Sequence, residues 1–391
     1  MISKNTFSFL SLVLLIAVRS FNPLLSQADK SFLLPPELIN DPSSIESYEP
    51  ENRMFTGIPS LAVTENGRIW AVWYSGITPG EDENNYVVVS TSDNKGDTWK
   101  EVLVIDPDGQ GPVRAFDPEA WIDPDGKLWI FWAQSIKGQE ANHTDGINAG
   151  VWSVNANNSD IGNPCWSIPE RLTEGIMMCK PVVLSTGEWI IPASTWKIKN
   201  SARMVVSSDR GKSWNVRGAT DVPEEVWNCD EHMIVERKDG TLWMLVRTLY
   251  GIGESISTDR GYTWSSLTPS SILHPTARFY IYRLISGNLL LVKHGPVEMR
   301  TARTHLMAFV SKDDGYTWSE GLLLDERLRT SYPDGQQTKD GTIYIIYDFN
   351  RRGDQNILMT SFKEDDIIPC SGIKMVEVFQ RRKVVSKGGK F

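Results

Sequence analysis

The sequence predicts an all-β fold, a six-bladed β-propeller, from two repeated patterns. The first is a turn motif, Ser-x-Asp-x-Gly-x-x-Trp, whose copies are SSDRGKSW at 207–214, STDRGYTW at 257–264, SKDDGYTW at 311–318 and TSDNKGDTW at 91–99. Each copy offers an Asp that can accept turn amides, a Gly that tolerates positive φ and a Trp that packs on the hairpin. Three of the copies recur about every 50 residues, which is typical of propeller blades.

The second pattern is a hairpin in which a turn containing Gly precedes an apolar, often Trp-containing strand. Its copies lie at 66–73, 125–132, 185–191, 239–243, 286–291 and 340–346. Six hairpins indicate six blades. Because there are fewer turn motifs than hairpins, two blades have lost the motif, and 153–166 is interpreted as a degenerate copy with an enlarged turn.

The beginning of the chain has the pattern of a cleavable export signal. Lys4 precedes an apolar stretch at 7–18, and the small residues Ser26 and Ala28 come just before a charged segment. We therefore predict a signal peptide at 1–28, a single propeller domain at 29–391, and an exported protein, periplasmic or secreted. No later stretch reaches the roughly 20 apolar residues of a membrane helix, so no membrane insertion is expected.

Charge and cysteine content narrow the range of partners. The formal net charge of −9 argues against nucleic acid, so an anionic substrate would need a local cluster of Arg. The four cysteines lack metal-ligand spacing, and no motif indicates a nucleotide or another cofactor.

With its turn motifs and inner-strand pattern, nearly the whole mature chain resembles the sialidase (neuraminidase) superfamily. That resemblance implies a Tyr nucleophile helped by a Glu, an Asp acid/base and three Arg that clamp the substrate carboxylate. Tyr332, in Ser-Tyr-Pro-Asp-Gly, resembles the nucleophile, and Glu231, in Cys-Asp-Glu-His, resembles its base. Arg247 and Arg303 resemble the second and third clamp residues.

Two family positions are less regular in this chain. The resemblance places the acid/base at Asp82, in Glu-Asp-Glu-Asn-Asn, where Glu81 and Glu83 are rivals. The family has Tyr-Arg-Ile-Pro where this chain reads Thr-Gly-Ile-Pro, so Gly57 stands in the place of the first clamp Arg. Arg53, four residues earlier, is a candidate replacement.

The missing Arg favours a substrate whose carboxylate sits elsewhere on the ring, such as a uronic acid. Neutralising a C5 carboxylate acidifies the C5 proton, so that a Tyr or His can remove it while a group at C4 leaves. His232 lies beside Glu231, and His294 follows Lys293 at a strand end. These residues are therefore candidates for acid/base and binding roles in a β-elimination.

Other cations interrupt inner strands. Period-two alternation places Arg278 on one face with Tyr280 and Tyr282, which makes this Arg a candidate substrate ligand. Lys180 and Glu119 are weaker candidates of the same kind.

Three functions follow in order of preference. The first is an enzyme that acts on the non-reducing-end uronic acid of acidic oligosaccharides by β-elimination, as a dehydratase or lyase. The second is a retaining exo-glycosidase of sialidase type with Tyr332 as nucleophile. The third is a non-catalytic glycan-binding propeller.

Overall fold

A computed structural model of the chain describes residues 31–109, 111–136, 149–367 and 374–389. It contains six antiparallel sheets arranged as the blades of a propeller, which confirms the predicted all-β fold and the blade count. The predicted signal segment lies outside the described residues.

Each blade comes from one continuous stretch of chain, and the innermost strand is the first of its stretch except in blade 1, where β1 pairs with the outer strand β5. Blade 1 has β1 (Glu37–Asn40), β2 (Phe55–Val63), β3 (Ile69–Gly76), β4 (Asn85–Ser92) and β5 (Lys100–Asp106). Blade 2 has β6 (Val113–Ile122), β7 (Leu128–Ile136), β8 (Ala149–Ala156) and β9 (Glu170–Glu174). Blade 3 has β10 (Ile176–Met177), β11 (Val182–Val183), β12 (Trp189–Ser194), β13 (Ala202–Ser207) and β14 (Asn215–Thr220).

The remaining blades have four strands each. Blade 4 has β15 (His232–Glu236), β16 (Leu242–Thr248), β17 (Gly251–Ser257) and β18 (Thr268–Pro269). Blade 5 has β19 (Tyr280–Arg283), β20 (Leu289–His294), β21 (Leu306–Ser311) and β22 (Leu322–Asp325). Blade 6 has β23 (Thr330–Gln337), β24 (Thr342–Phe349), β25 (Asn356–Lys363) and β26 (Lys383–Lys387), with the helix α1 (Lys374–Gln380) between its last two strands. Short 3₁₀ helices lie at Ser31–Leu33, Pro42–Ser44, Glu46–Tyr48, Pro50–Asn52, Glu224–Val226 and Glu364–Asp366.

The turn motifs join the last two strands of blades 1, 3, 4 and 5. In the copy at 257–264, Asp259 Oδ1 accepts the amide of Thr263 at 2.9 Å, and the indole of Trp264 donates to the carbonyl of Gly261. In the copy at 91–99 the accepting side chain is Asn94, not the predicted aspartate. These side chains are used by their own turns, so the motifs are structural.

Three innermost strands bend at equivalent positions. Ile58 in β2, Asp117 in β6 and Tyr332 in β23 have φ values of 58°, 48° and 52°, each precedes a proline, and each lies at a register shift. Positive φ is unfavourable for such residues, so the surrounding structure must impose it. All three residues line one cavity, so the bends form part of its wall.

A network of buried charges crosses the axis of the propeller beside these bends. Ser60, Glu119 and Asp334 each follow a bent residue by two positions. Lys180 comes from blade 3, and Arg278 lies two residues before the first strand of blade 5. Lys180 Nζ donates to Asp334 Oδ2 at 2.5 Å and to Ser60 Oγ at 2.9 Å. Arg278 donates to Glu119 at 2.5 Å. The network therefore ties the inner strands of several blades together below the cavity.

Antiparallel strands alternate in direction, so the loops between second and third strands open on the same face as the start of each innermost strand. We call this the loop face. Its described loops are 77–84, 195–201, 249–250, 295–305 and 350–355.

Candidate active site

The bent inner strands and the loops surround a cavity of about 200 Å³ on the loop face. Five guanidinium groups and three carboxyl groups line it, which makes its surroundings cationic although the chain as a whole is acidic. Its lining residues are Ile58, Tyr74, Glu81, Arg114, Phe116, Asp117, Met178, Trp196, Cys229, Glu231, Arg247, Arg303, Tyr332, Arg351 and Arg352.

Tyr332, Glu231 and Arg247 form a contact group in this cavity. The Tyr332 hydroxyl lies 3.5 Å from Glu231 Oε1 and accepts a hydrogen bond of 3.2 Å from Arg247 Nη1. The same nitrogen donates to Glu231 Oε1 at 2.5 Å. A carboxylate next to a phenol can take its proton, so the pair has the geometry of an activated nucleophile.

The phenol is neutral in the free protein. Burial and the neighbouring Glu231 raise the pKa of Tyr332 to about 12, although Arg247, Arg351 and Arg303 act in the opposite direction. The hydroxyl therefore keeps its proton at neutral pH and needs a base to become nucleophilic.

Two further guanidinium groups lie over the ring of Tyr332. The Cζ atoms of Arg351 and Arg303 are 4.8 Å and 5.7 Å from its centroid. Arg303 is held by Ser331 Oγ and by the carbonyl of Thr276, both at 3.1 Å. With Arg247, three guanidinium groups thus converge on Tyr332, a geometry suited to a carboxylate ligand.

Arg351 occupies the space that the small Gly57 leaves open. A Cβ added to Gly57 would lie 2.8 Å from both Cβ and Cδ of Arg351. Asp348 Oδ2, 3.6 Å from the Arg351 guanidinium, also accepts the amide of Ile58 and so joins the two blades. Arg53 does not reach the cavity, because its guanidinium is buried against Glu101 and the carbonyl of Tyr48.

Among the three rival acids of the 81–83 segment, only Glu81 lines the cavity. Asp82 is turned into its own loop, where it accepts hydrogen bonds from Thr78 and from the amide of Asn84. Glu81 Oε1 lies 3.4 Å from Arg351 and 3.5 Å from Arg352. Burial alone would raise the pKa of Glu81, but Arg351, Arg114 and Arg352 hold it below its usual value.

Asp117 and Arg114 extend the polar lining along β6. Burial raises the pKa of Asp117 well above its usual value, even though Arg114 acts against it. Arg114 stacks on the ring of Phe116, with its Cζ 3.9 Å from the centroid. Burial therefore favours the protonated form of Asp117 at this end of the cavity.

The predicted histidines and Lys293 lie outside the cavity. His232 contacts the carbonyls of Asp230 and Arg203, and burial lowers its pKa to about 4. His294 contacts the carbonyl of Thr330 and the ring of His274, and burial lowers its pKa to about 3. Lys293 donates to three carbonyls at 294–296, and burial lowers its pKa to about 7. Their buried polar atoms are used inside the fold, which corrects the expectation that they face substrate.

Arg278 is likewise not a cavity residue but part of the axial network. Its guanidinium lies 2.5 Å from Glu119 and 3.8 Å from Asp334. Burial raises the pKa of Glu119 to about 7, with Arg278 and Lys180 opposing that rise. The weaker candidates Lys180 and Glu119 share this structural location.

Sequence reasoning missed Arg351, Arg114 and Trp196. Arg114 is the second residue of β6, three residues before the Asp-Pro bend. Its closeness to the bend could have identified it from the sequence as a candidate site residue. Arg351 and Trp196 come from loops whose direction depends on blade closure, so no local pattern identifies them.

Neither a metal site nor a membrane span is found in the described parts of the chain. No group of three or more His, Cys, Asp or Glu residues there could hold a metal ion. No helix there is both long and apolar enough to cross a bilayer.

The chain matches the family model of BNR repeat-like domains over residues 67–345. Comparison with the curated proteins gives no significant match. A Hadza microbial sialidase has a similar structure, with a TM-score of 0.65 and 19% identity over 81% of this chain and 67% of that chain. The intramolecular trans-sialidase from Ruminococcus gnavus, solved with oseltamivir carboxylate, gives a TM-score of 0.62 and 14% identity over 84% and 97%.

A protein of unknown function from Dyadobacter fermentans is also similar, with a TM-score of 0.59 and 17% identity over 82% of this chain and 95% of that chain. At these identities the likeness establishes the fold, a six-bladed propeller of the sialidase type.

Proposed function

The chain belongs to the family of BNR repeat-like domains, and on that premise we propose that it is a retaining exo-glycosidase that releases a terminal acidic sugar from a glycan. The observation that carries the proposal is the convergence of Arg247, Arg303 and Arg351 on Tyr332, which is paired with Glu231. The predicted export would bring such an enzyme to glycans outside the cell.

The position of the clamp indicates where the substrate carries its carboxylate. Because the guanidinium groups surround the phenol itself, a carboxylate bound by them lies next to the carbon that the phenol attacks. A sugar with the carboxylate on its anomeric carbon, as in sialic acids, meets this requirement. A neutral Tyr also avoids the repulsion that a carboxylate nucleophile would suffer there.

In the first step, the Tyr332 oxygen forms a bond to the anomeric carbon and its proton passes to Glu231. The glycosidic C–O bond breaks with its electron pair moving to the leaving oxygen, which takes a proton from Glu81. Before this transfer Glu231 is a carboxylate, and Arg247 stabilises its negative charge. Arg247 also orients the phenol. Binding of the substrate carboxylate neutralises nearby guanidinium charge, which raises the pKa of Glu81 and favours its acid form.

In the second step, water attacks the anomeric carbon and gives its proton to Glu81. The bond from the sugar to Tyr332 breaks, and the phenolic oxygen recovers the proton held by Glu231. Two displacements at the same carbon retain the anomeric configuration.

The uronate elimination that the sequence favoured has less support from the geometry. It was expected to use a His as the acid/base partner of Tyr332, and no histidine is found among the residues that line the cavity. The lost clamp residue, which motivated it, is compensated by Arg351.

The test is to trap the intermediate with a 3-fluorinated sialosyl fluoride, whose anomeric fluoride leaves, and to locate the adduct by peptide mass spectrometry. We expect one adduct, on Tyr332, and none in Tyr332→Phe. The products from an α-linked sialoside should be a saturated sugar, released first as the α-anomer by NMR.

A different set of products would overturn this function. Uronate-terminated oligosaccharides that become lighter by one water and absorb in the ultraviolet would establish elimination. If the protein binds sialosides or uronate-terminated oligosaccharides but changes neither chemically, it is a non-catalytic glycan-binding propeller.

A further inference from the structure

A second and more open cavity of about 610 Å³ adjoins the candidate active site on the loop face. Arg303, Arg351 and Arg352 line both cavities, so the two cavities share a wall of three guanidinium groups. The second cavity adds Arg329, Asn350 and the exposed apolar side chain of Leu328, which is 59% exposed.

The second cavity is strongly cationic. Four guanidinium groups line it, and the only carboxyl group among its lining residues is that of Asp348. This acid is buried, accepts the amide of Ile58 and lies 3.6 Å from Arg351. In a chain of net charge −9, such a cluster attracts an anion rather than a neutral ligand.

The rim of this cavity is held in place before any ligand arrives. The amide of Arg329 donates to the carbonyl of Arg303 at 2.7 Å, and the amide of Asn350 donates to the carbonyl of Arg329 at 3.0 Å. Arg329 Nη1 also donates to Asn350 Oδ1 at 3.1 Å. Loops from blades 5 and 6 are thereby joined, and Arg329 projects from a fixed backbone.

On the proposed function, the second cavity lies beside the acid that protonates the leaving group. Glu81, the proposed acid, must contact the leaving oxygen, and its Oε1 lies 3.5 Å from Arg352. Arg352 in turn lines the second cavity. A chain that continues beyond the scissile bond therefore passes Glu81 and reaches this cluster.

We propose that the second cavity is a subsite for an anionic sugar next to the terminal one, so that the enzyme prefers glycans with consecutive acidic residues. The proposal rests on the proposed function for its orientation. The recognised group is a carboxylate or a sulfate on the neighbouring sugar, bound by Arg329 and Arg352 together with the shared clamp residues.

The test compares three sialosides that differ only beyond the scissile bond. One carries neutral lactose, one carries lactose sulfated on galactose, and one carries a second, α2,8-linked sialic acid. We expect kcat/KM to be roughly 5-fold or more higher for one or both anionic substrates, and salt to reduce the preference. The sulfated and sialylated arms distinguish sulfate from carboxylate.

Arg329→Gln should remove most of this preference. Its matched control is Arg300→Gln, because Arg300 is exposed on the same face and lines neither cavity. Equal kcat/KM for the neutral and both anionic substrates would overturn the subsite while leaving the glycosidase function intact. A preference that Arg329→Gln does not change would overturn it as well.

A binding measurement separates the two proposals. Calorimetry with the sialic acid trimer and with a chondroitin sulfate tetrasaccharide requires no turnover. Binding that weakens in Arg329→Gln, with no hydrolysis of any sialoside, would support the anionic subsite and reject the glycosidase. No binding of either oligosaccharide to an enzyme that hydrolyses the lactose sialoside would reject the subsite alone.

Discussion

The side chain of Arg351 lies against the backbone of Gly57, and the two residues come from opposite ends of the propeller chain. A Cβ on Gly57 would be 2.8 Å from Cβ and Cδ of Arg351, closer than real Cβ contacts come. The resemblance to the sialidase superfamily implies an Arg at position 57, whereas here the guanidinium arrives from the 350–355 loop of blade 6. The close contact with Arg351 explains why Gly is needed at position 57 although its φ is not positive.

Gly57→Ala should displace Arg351 and weaken binding of the acidic sugar. Loss of a charge-assisted hydrogen bond corresponds to roughly a 10- to 100-fold higher KM, and Arg351→Ala should have a similar effect. The double variant Gly57→Arg/Arg351→Ala restores the family arrangement and should recover part of the loss. Steady-state kinetics with a sialoside measures all three.

Arg53→Met is the control for this prediction. Arg53 is also a buried cation of blade 1, but it pairs with Glu101 away from the cavity. KM should stay within about 2-fold in folded Arg53→Met protein. An equally large rise in KM there would mean that charge at a distance, not contact, governs binding.

Glu81→Gln should reduce turnover according to the leaving group. Without an acid, hydrolysis of a natural glycoside should be roughly 10²- to 10⁴-fold slower, while a nitrophenyl sialoside, whose leaving group needs no proton, should lose much less. Asp82→Asn should show no such dependence, since Asp82 is used within its own loop. An equal loss with both leaving groups would remove Glu81 from the acid role.

The pH profile should report the guanidinium groups around Glu81. The first step needs Glu81 protonated, so kcat/KM falls as pH rises through its pKa in the free enzyme. Arg114 is one of the groups that hold this pKa down. Arg114→Met should therefore raise the pKa and move the descending limb to higher pH. A limb that does not move would show that another group titrates there.

The fold can be predicted from the sequence because its signals are local. Each hairpin turn needs its Gly, and each motif turn needs its Ser, its Asp or Asn and its Trp within a few residues. The blade count therefore follows without knowledge of long-range contacts. Tyr332, Glu231, Arg247 and Arg303, which the family resemblance assigned to one site, all line the cavity. Their chemical roles remain proposals.

The remaining site residues depend on how the blades close. Arg53 and Arg351 are both near β2 in space, but only the folded ring decides which guanidinium turns inward. The sequence makes His294 and Lys293, at a strand end, candidates for contact with substrate, yet neighbouring carbonyls take up their polar atoms. Polar residues that interrupt apolar strands are thus ambiguous in sequence between a substrate contact and a buried structural bond.

Lys180→Met should cost much more stability than its surface counterpart. Lys180 Nζ contacts Asp334 at 2.5 Å in the axial network, and the side chains are 5% and 0% exposed. Lys339 contacts Glu65 at the same distance, but these side chains are 78% and 70% exposed. Removing one partner of a buried pair costs roughly 3 to 5 kcal/mol, whereas an exposed pair contributes about 0 to 1 kcal/mol.

Urea unfolding of Lys180→Met and Lys339→Met measures this difference. The free energy of unfolding should fall by the larger amount only in the first variant. If both variants lose less than about 1 kcal/mol, the axial charges are either solvated or readily replaced.

His232 should make the fold sensitive to acid. Burial lowers its pKa from an ordinary 6.5 to about 4 in the folded protein. Between these values the unfolded chain binds more protons than the folded one, so the free energy of unfolding decreases as pH falls from about 6.5 to about 4. This pKa difference corresponds to a loss of about 3 kcal/mol in the free energy of unfolding at the acidic end of the range.

His232→Gln should flatten that dependence, because an amide can donate to the carbonyl of Arg203, as Nε2 does in one tautomer, without titrating. Thermal and urea unfolding between pH 4 and pH 7 would show a smaller acid loss than in the unmodified protein, with His294 accounting for part of what remains. His305→Asn, at an exposed loop position, is the control and should keep the original slope. If the slope of His232→Gln equals that of the control, the imidazole stays accessible to protons in the folded protein, and its burial between the two carbonyls does not exclude the charged form.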